Sequence, residues 1–188
     1  GAIGDIRDAL TYVRYNPTLL LILVVTFVTV LFSMPYMMLL PVITDEVLQV
    51  GAKGLGILVS VSGIGAMAGS LVLASVPSKQ RGLLLLLGSL LLAVALIVFS
   101  FSTSWYLSLI VIVFVGIGQT TRMTLGNTLL QDYVDDEYRG RVMALYMMEF
   151  GLTSFAVFLC GLLAEQVGIS WALGSFAIIL VVKLSDGV

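Results

Sequence analysis

Gly82 to Thr121 reads GLLLLLGSLLLAVALIVFSFSTSWYLSLIVIVFVGIGQTT, a run without one charged side chain. A helix crosses a hydrocarbon core with about 20 apolar residues, so this run is too long for one crossing and suits two antiparallel ones. The hinge is Ser102-Thr103-Ser104 before Trp105, a polar turn followed by an aromatic of the kind that settles at a membrane interface. Only helices and closed barrels satisfy every backbone group in lipid, and these unbroken blocks lack the alternation of barrel strands. Two membrane-spanning helices are therefore expected, about 82–101 and 105–131, the second carrying Arg122.

The same pattern extends in both directions. Upstream lie apolar blocks at about 16–41 and 54–76, parted by Asp45, Glu46 and Lys53. Downstream, the charged loop Asp132 to Arg141 precedes blocks at about 142–164 and 169–183, with Glu165 to Gly168 turning the chain between them. The expectation is an all-α membrane protein: a cytoplasmic linker helix over residues 1–15 and a six-helix transmembrane bundle over 16–188. The linker is not a signal peptide, because Asp5, Arg7, Asp8 and Arg14 interrupt it before an apolar core forms.

Composition agrees. Of 188 residues 60% are hydrophobic and 11% charged, with a mean hydropathy of +1.13. A soluble domain has roughly half and a quarter, and a core of this size could not hide the excess from water. The net charge of -2 says nothing about acidic or basic partners, nucleic acid included. One cysteine, Cys160, and no histidine leave no disulfide within the chain and no usual ligand set for zinc or haem, so no cofactor or metal is expected.

Basic residues orient the bundle. With the N-terminus inside, Arg7, Arg14, Lys79, Arg81, Arg122, Arg139, Arg141 and Lys183 fall on inner segments, and only Lys53 falls outside. This is a strong positive-inside bias, and an even number of spans returns the C-terminus to the cytoplasm.

Several phrases on these spans resemble the second half of bacterial major facilitator exporters, in the branch of enterobactin exporters and macrolide-efflux proteins. Tyr12-Val13-Arg14-Tyr15-Asn16-Pro17 is similar to the linker entering the seventh helix, and Met34-Pro35-Tyr36 and Leu39-Leu40-Pro41-Val42 to that helix's outer end. Gly54-Leu55-Gly56 and Gly63-Ile64-Gly65-Ala66 follow in the eighth. The most specific phrase bridges the tenth and eleventh helices: Asn127-Thr128-Leu129-Leu130-Gln131, Asp136-Glu137-Tyr138-Arg139-Gly140-Arg141-Val142, then Leu145-Tyr146-Met147. The resemblance implies one half of a major facilitator fold in the bacterial inner membrane, helices seven to twelve. It further implies proton-coupled export of a small organic substrate by alternating access, with a second six-helix bundle completing the cavity. That partner is the missing N-terminal half, a second copy or another membrane subunit. In the loop from Val76 to Gly82, Gly69, Lys79 and Arg81 fit the family's gating motif, and its acidic member is absent.

Ionisable groups within a membrane cost about 2.5–3.5 kcal/mol on insertion scales, which singles out Arg122 and Glu149. Arg122 precedes Asp132 by ten residues and Glu149 follows Arg141 by eight. At a rise of 1.5 Å per residue each sits about 12–15 Å from the cytoplasmic loop, so the two can pair across neighbouring helices. Gln119 shares a helical face with Arg122, as Tyr146 and Thr153 do with Glu149, making a candidate patch for substrate or proton. A static pair that fixes packing, or an arginine that snorkels to the interface, is the other reading. Asp136, Glu137, Arg139 and Arg141, with Lys79 and Arg81, form a candidate cytoplasmic gate. The acids read equally as helix caps and the arginines as topology signals.

Pro35 and Pro41 suit a helix that bends or ends. Gly65-x-x-x-Gly69 and Ala66-x-x-x-Ser70 allow close helix contact. Metalloprotease, hydrolase-elbow and Walker motifs are absent, so an enzyme is not expected and energy must come from an ion gradient or another chain. A half-transporter serving as a non-transporting scaffold subunit is the alternative.

Overall fold

Asn16 leaves helical geometry (φ -112°, ψ 91°) and donates its side-chain amide to the Tyr12 carbonyl at 2.9 Å, which ends the first helix; Pro17 then starts the second. In the computed structural model, which describes residues 2–77 and 80–186, this local logic repeats along a wholly helical chain. The elements are α1 (Ala2–Tyr15), α2 (Pro17–Ser33), α3 (Pro35–Val42), a π-helical turn (Ile43–Val47), α4 (Gly51–Ala74), α5 (Arg81–Phe101), α6 (Trp105–Tyr133), α7 (Arg139–Met147), α8 (Glu149–Val167) and α9 (Ile169–Asp186).

Five helical units are long and apolar enough to cross a membrane: Pro17–Val47, Gly51–Ala74, Arg81–Phe101, Trp105–Tyr133 and Arg139–Val167. Ile169–Ser185 is apolar but shorter. Three boundaries differ from those read off the sequence. The first unit does not stop near Pro41. It bends at Met34–Pro35 and passes through Pro41, which has no N–H to give, and the chain then widens into the π-helical turn, where Leu48 N–H reaches the Ile43 carbonyl at 2.9 Å. The second begins at Gly51, whose φ of +60° follows the left-handed Gln49, and so draws Lys53 into its first turn. The fifth is two helices, broken at Met148.

α6 is the axis of the bundle. α4 and α5 pack along it, α9 lies on α5, α8 lies on α9, and α2 touches α5, α6, α8 and α9. Small residues set the closest of these approaches. A Cβ on Gly65 would overlap the Val113 carbonyl, and one on Gly116 would overlap the Ser62 carbonyl, so α4 and α6 meet backbone to backbone. Gly118 does the same for α5, against Leu92 and the Gly88 carbonyl. In lipid, where apolar surface has little to gain from burial, such contacts supply the van der Waals energy that joins helices.

Two apolar clusters fill the bundle. One, from Ala9 and Val13 through Leu129 and Leu145, lies toward α1; the other, around Tyr36, Leu58, Phe99 and Ile112, lies toward α3. α4 and α8 are the least enclosed long helices, each burying only a narrow stripe such as Gly54, Leu58, Gly65 and Gly69.

Candidate functional site

Arg122 and Glu149 meet between the two apolar clusters. The Arg122 Nη1 donates to Glu149 Oε2 at 3.3 Å, and the two residues are 1% and 4% exposed. α6 carries the arginine past its midpoint. The break at Met148 makes Glu149 the first residue of α8, aimed at α6.

The break has no proline to cause it, and Gly151 lies in its turn. Met148 N–H bonds back to the Leu145 carbonyl at 3.0 Å and Gly151 N–H to Met148 at 3.0 Å, a tight turn that interrupts the ladder where the ion pair attaches. Tyr146, expected on one face with Glu149, therefore lies on the other helix, α7.

Polar atoms without partners surround the pair. Arg122 Nε and the hydroxyls of Tyr146 and Thr26 are buried, and none has a hydrogen-bond partner among the described residues. Both hydroxyls stand against Gly126, one turn from Arg122: a Cβ there would lie 3.1 Å from Thr26 Oγ1 and 3.7 Å from the Tyr146 oxygen. Uncompensated buried donors cost about 1–3 kcal/mol each.

The remaining candidates separate. Gln119 lies one turn from Arg122 but lines a different space, a groove of about 430 Å³ between α3, α4 and α6; its amide nitrogen reaches the Met34 sulfur at 3.7 Å. Thr153 donates to the Glu149 carbonyl of its own helix at 3.0 Å and bridges nothing. Thr26 is the residue that sequence reasoning missed. A threonine in an apolar helix usually bonds its own backbone, as Thr29 does to Val25 at 2.6 Å, and nothing in the sequence marks Thr26 as different.

The candidate gate residues also disperse. Arg81 pairs with Asp132 at the end of α6 at 3.3 Å, so an acidic partner for this loop comes from another helix. Arg139 pairs with Asp136 at 2.7 Å, and Arg141 reaches Asp5 on α1 at 3.4 Å. Glu137 is exposed with no ion pair among the described residues, and Lys79 lies outside them. None of the acids caps α7 by a hydrogen bond, since Tyr138 is its N-cap and makes no side-chain cap bond; Asp136 and Glu137 lie in the turn just before its first residue, Arg139. Instead Asp135 accepts the Tyr12 hydroxyl at 2.8 Å, while Tyr12 stacks on Tyr138 at 4.2 Å and Arg141 lies over that ring. The acids lie in the turn before α7, and Asp135 ties that turn to α1.

A family model described as transmembrane secretion effector matches residues 2–186. The chain belongs to that family. Membership makes it a transporter of the major facilitator type, a multi-pass membrane protein working in a lipid environment. No individual curated protein matches the chain. For this transmembrane secretion effector, the Arg122–Glu149 pair is a buried ion pair within the membrane-spanning helices, and the uncharged groove beside Gln119 is a separate feature one turn away.

Proposed function

We propose that the chain is the C-terminal half of a secondary active transporter, six spans with both termini cytoplasmic in the plasma membrane, exporting a small organic compound in exchange for protons. A second six-helix bundle supplies the other wall of the cavity. The observation that carries this reading is the Arg122–Glu149 pair, two opposite charges sealed inside membrane-spanning helices and joined by one 3.3 Å contact at a helix break. Burying such charges is costly, and a pair that adjoins a bend lets protonation of one member change the packing of the other. In this mechanism Glu149 takes a proton, Arg122 turns to the Tyr146 and Thr26 hydroxyls, and α8 moves relative to α7. The loosely enclosed faces of α4 and α8 support a partner bundle.

The test is reconstitution into proteoliposomes with and without a six-helix partner, following accumulation of neutral and charged dyes under an imposed pH gradient. Gradient-driven movement is expected only with the partner, and Glu149→Gln is expected to uncouple it from the gradient. Unchanged transport by both Glu149→Gln and Arg122→Ala would sink the proton-coupling role. No transport with any partner would favour a scaffold subunit.

A further inference from the structure

The groove between α3, α4 and α6 differs from the ion-pair site in every chemical respect. It opens on the half of the bundle away from α1, holds about 430 Å³, and has no charged residue in its wall. Tyr36, Met37 and Leu55 give it an apolar lining, and Gly63 and Gly116 give it depth. Tyr36 is itself buried, so its ring is a fixed wall. Gln119 stands at the inner end, and its amide oxygen is buried with no hydrogen-bond partner among the described residues.

We propose that this groove seats an uncharged, largely apolar organic molecule that presents a hydrogen-bond donor to the Gln119 amide. The inference rests on the transport reading above and names its substrate class. The volume falls in the range of sites that enclose drug-sized ligands, which combine apolar walls with a few placed polar groups. A charged ligand would surrender its hydration with no opposite charge in the wall to replace it, whereas a neutral one surrenders little. The unpaired amide oxygen discriminates further. Rotation about the terminal torsion of Gln119 turns it to the groove, where a ligand N–H or O–H relieves an unsatisfied buried acceptor and a ligand without a donor leaves it unrelieved. Gln119 and Arg122 are three residues apart on α6, about 4.5 Å along its axis, so an occupant touches the helix that holds the arginine. Substrate and proton then occupy different sites on one helix, and the charge moved per cycle is the proton's alone.

The structure provides its own reporter. Trp105 would lie 3.5 Å from a Cβ on Gly54, the residue next to the groove-lining Leu55. Energy transfer from Trp105 to dansylamide, a neutral fluorescent sulfonamide with an N–H donor, measures occupancy in the full chain in nanodiscs, in a Trp171→Phe background. Saturable transfer is expected, with affinity at least about tenfold above that of the anionic dansyl sulfonate, of cationic dansylcholine and of the donorless N,N-dimethyl sulfonamide. A Cβ at the groove-lining Gly63 meets nothing within 4 Å, so Gly63→Leu projects its side chain into the groove and is expected to abolish transfer. Gln119→Leu is expected to lower dansylamide affinity about tenfold and to erase its advantage over the dimethyl analogue.

Equal binding of the sulfonate or the choline derivative, or unchanged transfer in Gly63→Leu, would overturn the inference. Equal binding of the dimethyl analogue would make the groove a slot for a lipid chain and overturn it as well. Equilibrium binding needs neither a second bundle nor a gradient. Binding without transport therefore counts against the transport reading alone, and transport without this binding counts against this inference alone.

Discussion

At the scale of residues, Arg122 and Glu149 are conspicuous because each is a lone charge in a long apolar block, so the pair was legible before any coordinates. Its energetics follow from its isolation. Two charges withdrawn from solvent and joined by one 3.3 Å contact gain little net stability as a pair, but either alone is an uncompensated buried charge. Arg122→Met or Glu149→Gln is expected to cost about 3–5 kcal/mol each, and the double variant Arg122→Met/Glu149→Gln to recover most of that loss, in equilibrium unfolding of the detergent-solubilised protein. Additive losses would mean the two residues do not interact. Tyr12 is the second informative residue. The Asp135 amide donating to its oxygen favours phenolate, but desolvation and the Asp135 carboxylate that accepts its proton outweigh this, and the hydroxyl titrates above the ordinary tyrosine value. A raised acid pKa means the folded state prefers the protonated form, so the contribution is intact below the unfolded value of about 10 and is lost as pH rises through the folded one. Proteolysis within α1 is expected to accelerate above about pH 10 in the native protein, and to lose that step in Tyr12→Phe. No pattern in the sequence could show that Tyr12 and Asp135 meet, since 123 residues separate them.

At the scale of elements, glycine spacing announced close packing but not its partner. Gly65 and Gly69 on α4 face Val113 and Ile117 on α6, and Gly116 answers from α6 against Ser62. Gly116→Leu is expected to push α4 off α6 and destabilise by about 1–3 kcal/mol or more, whereas Gly63→Leu, on the groove side of α4 where a Cβ meets nothing within 4 Å, is expected to change stability by less than about 0.5 kcal/mol in the same unfolding measurement. Equal effects would place the α4–α6 contact elsewhere. The helix breaks divide in the same way. Met34–Pro35 was foreseeable, because proline cannot continue the hydrogen-bond ladder. The break at Met148 was not, because Gly151, the poor helix former in its turn, has counterparts in Gly63 and Gly116 that sit within unbroken helices.

At the scale of the whole molecule, orientation is set by charges outside the apolar blocks. With the N-terminus inside, a cysteine at Lys53 is expected to react with an impermeant maleimide in intact cells, and a cysteine at Arg139 only after permeabilisation; buried Cys160 contributes no background. Reversed labelling would invert the topology. Hydropathy alone pointed to a helical, lipid-embedded chain, because lipid imposes one length and one polarity on every crossing. Which helices touch is a different matter. Arg122 finds Glu149 rather than the interface, Gln119 faces a separate uncharged groove, and Asp135 of the inner loop meets Tyr12 on α1, because each outcome depends on how helices distant in sequence rotate and tilt against one another. An apolar block looks alike from every side in the sequence; only packing against α6 decides which side is in.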